Sequence, residues 1–119
     1  MENEEFDRII YVSHPFKDRL SNLRAIESIV LALRKEYPNY LFVSPSHTFS
    51  FEYTEMSHEE GLKYCFWMLS KCDECWVFGD WENSRGCRAE IEYCQEHHIP
   101  LRLRSSYDKV VEEAVSEGV

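Results

Sequence analysis

A glutamate in a short amphipathic segment is the residue whose position most suggests chemistry. The segment Ser84–Glu96 predicts an α-helix, and its residues are spaced about 100° apart around the helix axis. Cys87, Ile91 and Cys94 then form the buried stripe, and Glu90 falls on the same side. An unpaired buried carboxylate is costly, so Glu90 must be paired, hydrogen-bonded or functional. The alternative to a functional role is a structural ion pair.

The start of the same helix indicates what a ligand there would carry. The first N–H groups of a helix and the positive end of its dipole favour a phosphate or a developing anion. Ser84 is the predicted N-cap, and Gly86 would let a ligand approach the backbone closely. Arg85 is the arginine better placed for an anion, although a merely solvated side chain is an equal alternative.

Apolar runs and amphipathic stretches alternate along the chain and predict the elements that hold this helix. The predicted strands are Ile9–Val12, Leu41–Val43, Glu74–Phe78 and Pro100–Leu103, and the predicted helices cover residues 20–37, 57–71, 84–98 and 107–117. This order predicts one α/β domain over residues 1–119, with a parallel sheet of four to five strands and helices on both faces. Residues 46–56 predict a loop whose aromatic side chains Phe49, Phe51 and Tyr53 would form a lid or a subunit contact.

Ligands of such sheets bind beyond the carboxyl ends of the strands, which selects three loops. These loops cover residues 13–18, 44–49 and 79–87. Trp81 would stack on a base, whereas His47 would serve either the pocket or a turn. The candidate binding residues of the loops and of the helix start are Ser13, His14, Pro15, Phe16, His47, Trp81, Ser84, Arg85, Gly86 and Cys87.

Composition argues against several classes of partner. The 119 residues carry a formal net charge of −9, which repels nucleic-acid polymers and anionic membranes. No apolar run approaches the roughly 18 residues of a membrane span, and the acidic N-terminus does not resemble a signal peptide, so a cytoplasmic location is expected. The five cysteines are expected to be reduced thiols. The pair Cys72 and Cys75 lacks a second Cys or His pair at zinc-ligand spacing, and it does not open a helix as a thioredoxin-type redox site does. Neither a metal nor a cofactor is expected.

Four segments together resemble the nucleoside 2-deoxyribosyltransferase family. Residues 10–16 resemble its opening strand and loop, residues 72–78 its third strand, and residues 99–101 its next strand. Residues 84–90 match its loop–helix motif, in which a Ser or Asp is followed by a Gly and then by a Glu at the sixth place. The resemblance covers about residues 9–103. It implies a flavodoxin-like, Rossmann-like three-layer α/β/α sandwich.

The resemblance also implies an activity. Glu90 would be the nucleophile that attacks C1′ of a ribosyl or deoxyribosyl group, giving a glycosyl-enzyme that water or a second base resolves. Ser84 stands where family members that hydrolyse nucleoside 5′-monophosphates carry a Ser that serves the phosphate. The implied ligand is therefore a nucleoside or a nucleoside 5′-monophosphate. Relatives often complete their sites with a neighbouring subunit, which implies a homo-oligomer.

The chain departs from the family pattern at two places. The family carries a catalytic Asp at the position of Cys65, and a thiol does not replace that carboxylate as a proton donor. Asp80, with Glu82 beside it, is the candidate catalytic substitute, and His14 replaces a small residue in the first loop. A non-catalytic nucleotide-binding module is therefore the alternative function. A third possibility is an NAD-cleaving Toll/interleukin-receptor-type domain, which residues 12–14 also resemble.

Overall fold

The structure is a computed structural model that describes residues 6–16, 19–49 and 55–104. Four strands alternate with helices along these residues. The strands are β1 (Arg8–Ser13), β2 (Tyr40–Val43), β3 (Glu74–Val77) and β4 (Leu101–Leu103). The helices are α1 (Arg19–Glu36), α2 (Pro45–Phe49), α3 (His58–Leu69) and α4 (Arg85–Glu96), and a 3₁₀ turn covers Trp81–Asn83.

The strands form one parallel sheet in the order β2-β1-β3-β4. Tyr11 in β1 lies opposite Val43 in β2 and Cys75 in β3, and Ser13 lies opposite Val77. The connection from β2 to β3 therefore crosses β1, which places β1 and β3 side by side at the centre of the sheet. Their carboxyl ends meet at one edge, where the loops that follow them lie close together. The predicted parallel sheet is confirmed.

Each face of the sheet is covered by helices. Side chains alternate between faces along a strand, so Ile10 and Val12 point one way and Tyr11 and Ser13 the other. The first face packs against α1 in a core of Ile10, Val12, Ile26, Ile29, Leu33, Trp76 and Phe78. The second packs against α3 and α4 in a core of Tyr11, Cys65, Leu69, Cys75, Val77, Cys87 and Cys94. The fold is thus a flavodoxin-like three-layer α/β/α sandwich.

The ends of the two helices on the second face follow from local hydrogen bonds. Ser57 and Glu60 form the capping box predicted for α3, each side chain accepting from the other residue's backbone N–H. Ser84 caps α4, because its Oγ accepts from Cys87 N at 3.2 Å. His98 follows α4 with a φ of 57°, the left-handed conformation that closes many helices. These caps fix where the first turns of α3 and α4 begin.

The prediction of a loop over residues 46–56 was wrong for residues 46–49, and the described residues 55 and 56 form a turn. Pro45–Phe49 is a short helix, and Ser44 caps it by accepting from His47 N at 3.2 Å. Proline at the first helical position and serine before it favour a helix start. A five-residue helix is too short to show a helical period in the sequence. Phe51, Tyr53 and the predicted helix 107–117 lie outside the described residues.

None of the helices in the described ranges has the length and apolar character that crossing a membrane requires.

Candidate active site

Glu90 lies in the second turn of α4 and is held by two hydroxyl groups of β1. Only 6% of the residue is exposed. Ser13 Oγ donates to its Oε1 at 2.6 Å, and the Tyr11 hydroxyl donates to its Oε2. Tyr11 and Ser13 are two positions apart on one strand, so both side chains point to the same face of the sheet. Both carboxylate oxygens are therefore positioned by the central strand.

Burial and hydrogen bonding act on this carboxyl group in opposite directions. Burial raises the pKa of Glu90 and is the larger effect, whereas the hydrogen bonds from Ser13 and Tyr11 lower it. Burial also raises the pKa of Tyr11, and the neighbouring Glu90 raises it further. Tyr11 consequently keeps its proton and remains a donor. Glu90 accepts two hydrogen bonds, the arrangement that an ionised carboxylate needs away from bulk water.

A cavity of about 790 Å³ opens beside Glu90. This volume lies within the range of pockets that bind small molecules. One wall is the loop after β1, with His14, Pro15 and Phe16, and another is the start of α4. One face of α3 forms the third wall of the cavity. Its lining residues stand at positions i, i+3, i+4 and i+7, which share one side of a helix. The α3 residues that line the cavity are His58, Gly61, Leu62 and Cys65.

Most of the predicted site residues meet at this cavity. Ser13 lies behind the lining and contacts it through Glu90. The lining residues that the sequence indicated are His14, Pro15, Phe16, Asp80, Ser84, Arg85, Gly86, Cys87 and Glu90. The sequence thus located the loop after β1, the loop after β3 and the start of α4.

His47 and Trp81 are placed elsewhere and do not belong to the described lining of this cavity. The ring of His47 contacts Ser44 Oγ at 2.8 Å through Nδ1 and Glu27 Oε2 at 2.9 Å through Nε2. Trp81 packs against the core on the second face of the sheet. His47 therefore has the turn role that the sequence left open, and the Trp81 ring serves packing.

The polar side chains around the opening differ in how they are held. His14 is 9% exposed, and its Nδ1 donates to Pro15 O at 2.9 Å, since a carbonyl oxygen only accepts. Asp80 is exposed at the opening, and its Oδ2 accepts from Asn83 at 2.8 Å. Arg85, also exposed, adds a positive charge beside the first N–H groups of α4. The opening therefore has an arginine at the start of a helix and an acidic side chain on one rim.

Gly86 leaves room that the protein does not fill. A Cβ added there would meet only Ser84 Oγ, at 4.0 Å, which is ordinary contact. Packing alone therefore does not require a glycine at this position. The space supports the prediction that a ligand approaches the backbone here.

Sequence reasoning missed two parts of the site. Tyr11 was assigned only to an apolar strand, although its hydroxyl and its two-residue spacing from Ser13 predict a polar contact on the Glu90 side. His58, Gly61 and Leu62 were missed because α3 was assigned only a core face. Met56 and Ser57 were also missed, whereas Pro45, Ser46 and Asn83 line the cavity from two of the loops that the sequence selected.

The residues described by the structure bring together no group of three His, Cys, Asp or Glu side chains that would hold a metal ion.

Comparison with known protein families places the chain in a family described as Domain of unknown function (DUF7768). The model of this family matches residues 8–104, from the first residue of β1 to the residue after β4. No curated protein and no solved structure matches the chain.

Proposed function

We propose a function from the cavity of this chain, because the family to which the chain belongs is described only as Domain of unknown function (DUF7768). We propose that it cleaves the N-glycosidic bond of a nucleoside or nucleoside 5′-monophosphate, with Glu90 as the nucleophile. The observation that carries the proposal is a carboxylate 6% exposed, held by Tyr11 and Ser13, beside a cavity of about 790 Å³. Carboxylates placed this way at a sugar carbon form covalent intermediates.

In the first step, a lone pair of Glu90 attacks C1′ of the sugar. The electron pair of the N-glycosidic bond leaves with the base, which takes up a proton, and an ester forms between the sugar and Glu90. Each carboxylate oxygen has two acceptor positions, so it can attack while its hydroxyl donor stays in place. Tyr11 and Ser13 thus orient the nucleophile.

In the second step, a new acceptor takes the sugar from Glu90. Attack by water at C1′ gives the free sugar and completes hydrolysis, whereas attack by a second base completes transfer. The acceptor loses a proton, and Glu90 returns as a carboxylate. The cavity volume admits a base-sized acceptor once the first base has left.

The start of α4 is proposed to bind the anionic end of the ligand. Ser84, Arg85 and Gly86 all line the cavity there. The N–H groups of the first helical turn, the Arg85 charge and the room at Gly86 together favour a phosphate. A nucleoside 5′-monophosphate would then place its sugar between this end and Glu90.

The proton donor to the leaving base is proposed to lie on the cavity rim. Cys65 occupies the α3 wall where a carboxylic acid would be expected from the resemblance, and a thiol is a weak acid for this purpose. Asp80 lines the opening and is the carboxylate candidate. His14 and His58 also line the cavity, and an imidazolium is a suitable acid near neutral pH.

The test is release of free base. The protein is incubated with the common nucleosides and their 5′-monophosphates, and free base is measured by chromatography. We expect release to fall on the order of 1,000-fold or more in Glu90→Gln, since the nucleophile is lost. Glu92→Gln, an exposed glutamate of the same helix, is the matched control and should keep the wild-type rate. Base release that is equal in both variants, or none from any substrate with wild-type protein, would refute the cleavage mechanism.

A second function is favoured by one observation, the thiol of Cys65 on the cavity wall. Without a carboxylic acid there, the protein would bind a nucleotide without cleaving it. Thermal unfolding with each 5′-monophosphate separates the two functions. Ligand stabilisation of wild-type protein without free base, weakened by Arg85→Ala, is the expected result for a binding module. No stabilisation by any nucleotide would exclude that function.

A further inference from the structure

The side of α3 that faces away from the cavity carries two exposed aromatic rings. Trp67 is 67% exposed and Tyr64 is 43% exposed. The opposite side of the same helix supplies buried core residues and the cavity wall, so α3 is apolar on both sides. Large exposed aromatic side chains that lie together are typical of protein–protein interaction sites.

The exposed residues of this side form one stripe with an ordered charge pattern. Glu60, Tyr64, Trp67 and Lys71 are spaced by four, three and four residues, so they lie on one side of a helix. Lys71 lies two residues beyond Leu69, the last residue of α3, and its N–H still bonds to Met68 O at 3.0 Å. Its ammonium lies 4.8 Å from the centre of the Trp67 ring, which places it on the same side. We call Glu60, Tyr64, Trp67 and Lys71 the α3 stripe.

The α3 stripe is complementary to a second copy of itself that runs in the opposite direction. Glu60 and Lys71 are equally far from the midpoint of the stripe, and so are Tyr64 and Trp67. An acid therefore stands at one end, a base at the other, and two aromatic rings between them. A two-fold axis through the midpoint would bring acid to base and ring to ring at both ends.

We propose that the α3 stripe is the contact surface between two copies of this chain, with the two α3 helices antiparallel about a two-fold axis. Glu60 of each copy then faces Lys71 of the other, and Tyr64 faces Trp67. The proposal is independent of the proposed activity, because the stripe lies on the side of α3 opposite the cavity.

Electrostatics fixes the antiparallel direction. A parallel pair would bring Glu60 to Glu60 and Lys71 to Lys71, and such like-charge contacts disfavour the wrong arrangement. The antiparallel pair also brings the positive end of each helix dipole to the negative end of the other. Glu60 Oε1 already accepts from Ser57 N at 3.0 Å, and the carboxylate has further acceptor positions for an ammonium.

The surface beside the stripe adds apolar area to the contact between the two copies. The exposed parts of Tyr64 and Trp67 in two copies amount to roughly 500 Å², about half of the roughly 1,000 Å² expected of a specific interface. A groove of about 630 Å³ runs from the stripe toward β2. Leu41, 38% exposed, lies in it with Ile9, Val43 and Phe49. A ring from the second copy can fill this groove.

The first experiment measures the oligomeric state of the full chain by sedimentation over a range of concentrations. We expect a concentration-dependent dimer, and Trp67→Glu should raise its Kd by about thirtyfold or more, the effect of losing a central aromatic contact. Leu31→Glu is the matched control, because Leu31 is 58% exposed on α1, across the sheet, and its change should leave the Kd unaltered. Circular dichroism checks that each variant is folded.

The second experiment tests the pairing itself by charge reversal. Lys71→Glu and Glu60→Lys should each weaken the homodimer, because both create like-charge contacts. An equimolar mixture of the two variants should restore association, since the mixed dimer regains both opposite-charge pairs. Lys35→Glu, on α1, changes the net charge as Lys71→Glu does and should leave the dimer intact. If Glu60→Lys does not fold without its capping bond, Lys71→Glu against Lys35→Glu gives the result alone.

Three outcomes would overturn the proposal. The first is a wild-type chain that is monomeric, with a Kd weaker than about 1 mM. The second is a dimer whose Kd does not respond to Trp67→Glu. The third is a mixture of folded charge variants that associates no better than either variant alone, which would mean that another arrangement or another partner covers the stripe.

Discussion

Glu90 is buried, and yet it accepts the hydrogen bonds that a charged carboxylate needs. Tyr11 and Ser13 supply the donors, and β1 fixes their spacing. The burial that raises the pKa of Glu90 also removes the water that would compete with a ligand for it. A group held this way costs stability and is available for chemistry, a common compromise at functional sites.

This cost should be visible in the pH dependence of unfolding. The folded-state pKa of Glu90 is raised, so between the unfolded and folded pKa values the folded chain binds more protons than the unfolded chain. The free energy of unfolding therefore falls as pH rises through that interval. Glu90→Gln lacks the charge, and its Tm should rise relative to wild type as the pH rises from about 4 through that interval.

Thermal unfolding followed by circular dichroism across this pH range is the measurement. Glu92→Gln, in an exposed position of α4, should follow the wild-type curve. A Glu90→Gln variant that loses Tm steadily relative to wild type as pH rises would contradict the assigned direction.

The Tyr11 hydroxyl should be worth more beside a charged Glu90 than beside a neutral side chain. Tyr11→Phe removes one of two donors and should cost about 1–3 kcal/mol of unfolding free energy near neutral pH. In a Glu90→Gln background the same change should cost less, because the remaining partner is uncharged. Urea unfolding of the four proteins in this cycle measures the coupling. Equal costs in both backgrounds would mean that the two groups are not coupled.

Periodicity was sufficient to predict that Glu90 is buried, and the structure confirms it. The partners of Glu90 were not predictable in the same way, because they come from another element. Tyr11 is 79 positions away in sequence, and only the register of β1 beside β3 brings it to α4. His47 failed as a cavity residue because a local contact with Ser44, three positions away, holds its ring.

At the scale of the elements, the start of each helix on the second face was predictable from one or two side chains. Ser57 with Glu60 and Ser84 alone mark where α3 and α4 begin, and both caps form. α2 was missed because it has one turn and no period, so only Ser44 and Pro45 signal it. Short helices are decided by their caps, whereas long ones are decided by periodicity.

The end of α4 offers a test of backbone strain. His98 adopts a φ of 57°, in the left-handed region, which is strained for a residue with a Cβ and unstrained for glycine. His98→Gly should raise the free energy of unfolding by about 1 kcal/mol. Gln95→Gly, in the last turn of α4, is the opposite control and should lose about 1 kcal/mol. Urea unfolding checks both, and a destabilised His98→Gly would show that the imidazole is needed there.

At the scale of the whole molecule, the two cores differ in composition. The first face is centred on Trp76, which is fully buried. Tyr37 and Phe42 meet its ring edge-on at centroid distances of 5.0 and 5.7 Å, and the Arg102 guanidinium lies 4.6 Å from its centre. The second face contains mainly small cysteine and aliphatic side chains around Tyr11. Two of the three fully buried aromatic side chains that the structure describes, Trp76 and Phe78, therefore lie on the side away from the cavity.

Trp76 should dominate the stability of the first core. Trp76→Ala should cost about 3–5 kcal/mol, because it removes a fully packed ring and leaves a cavity. Trp67→Ala changes the same residue type at a site that is 67% exposed and should cost less than about 1 kcal/mol at low protein concentration. Denaturant unfolding of both variants tests the difference, and similar losses would contradict the assignment of the core.

The alternation of strands and helices predicted a parallel three-layer sandwich, and the structure confirms it. The alternation alone does not fix the strand order, because the same local sequence pattern would allow β2 to pair on either side of β1. The order depends on which crossover buries both faces of β1 and β3 best, a property of all the elements together. The third wall of the cavity, on α3, depends on the same arrangement.

All five cysteines lie in one layer, between the sheet and the pair α3 and α4, and none of them forms a disulfide. An alkylating reagent can therefore label only the half of the molecule that encloses Glu90. Cys72 is the least buried of them, and burial raises its pKa to about 11, which slows even its reaction. Mass spectrometry would show the order in which the five thiols are modified. That order would report which part of this layer opens first, without any added probe.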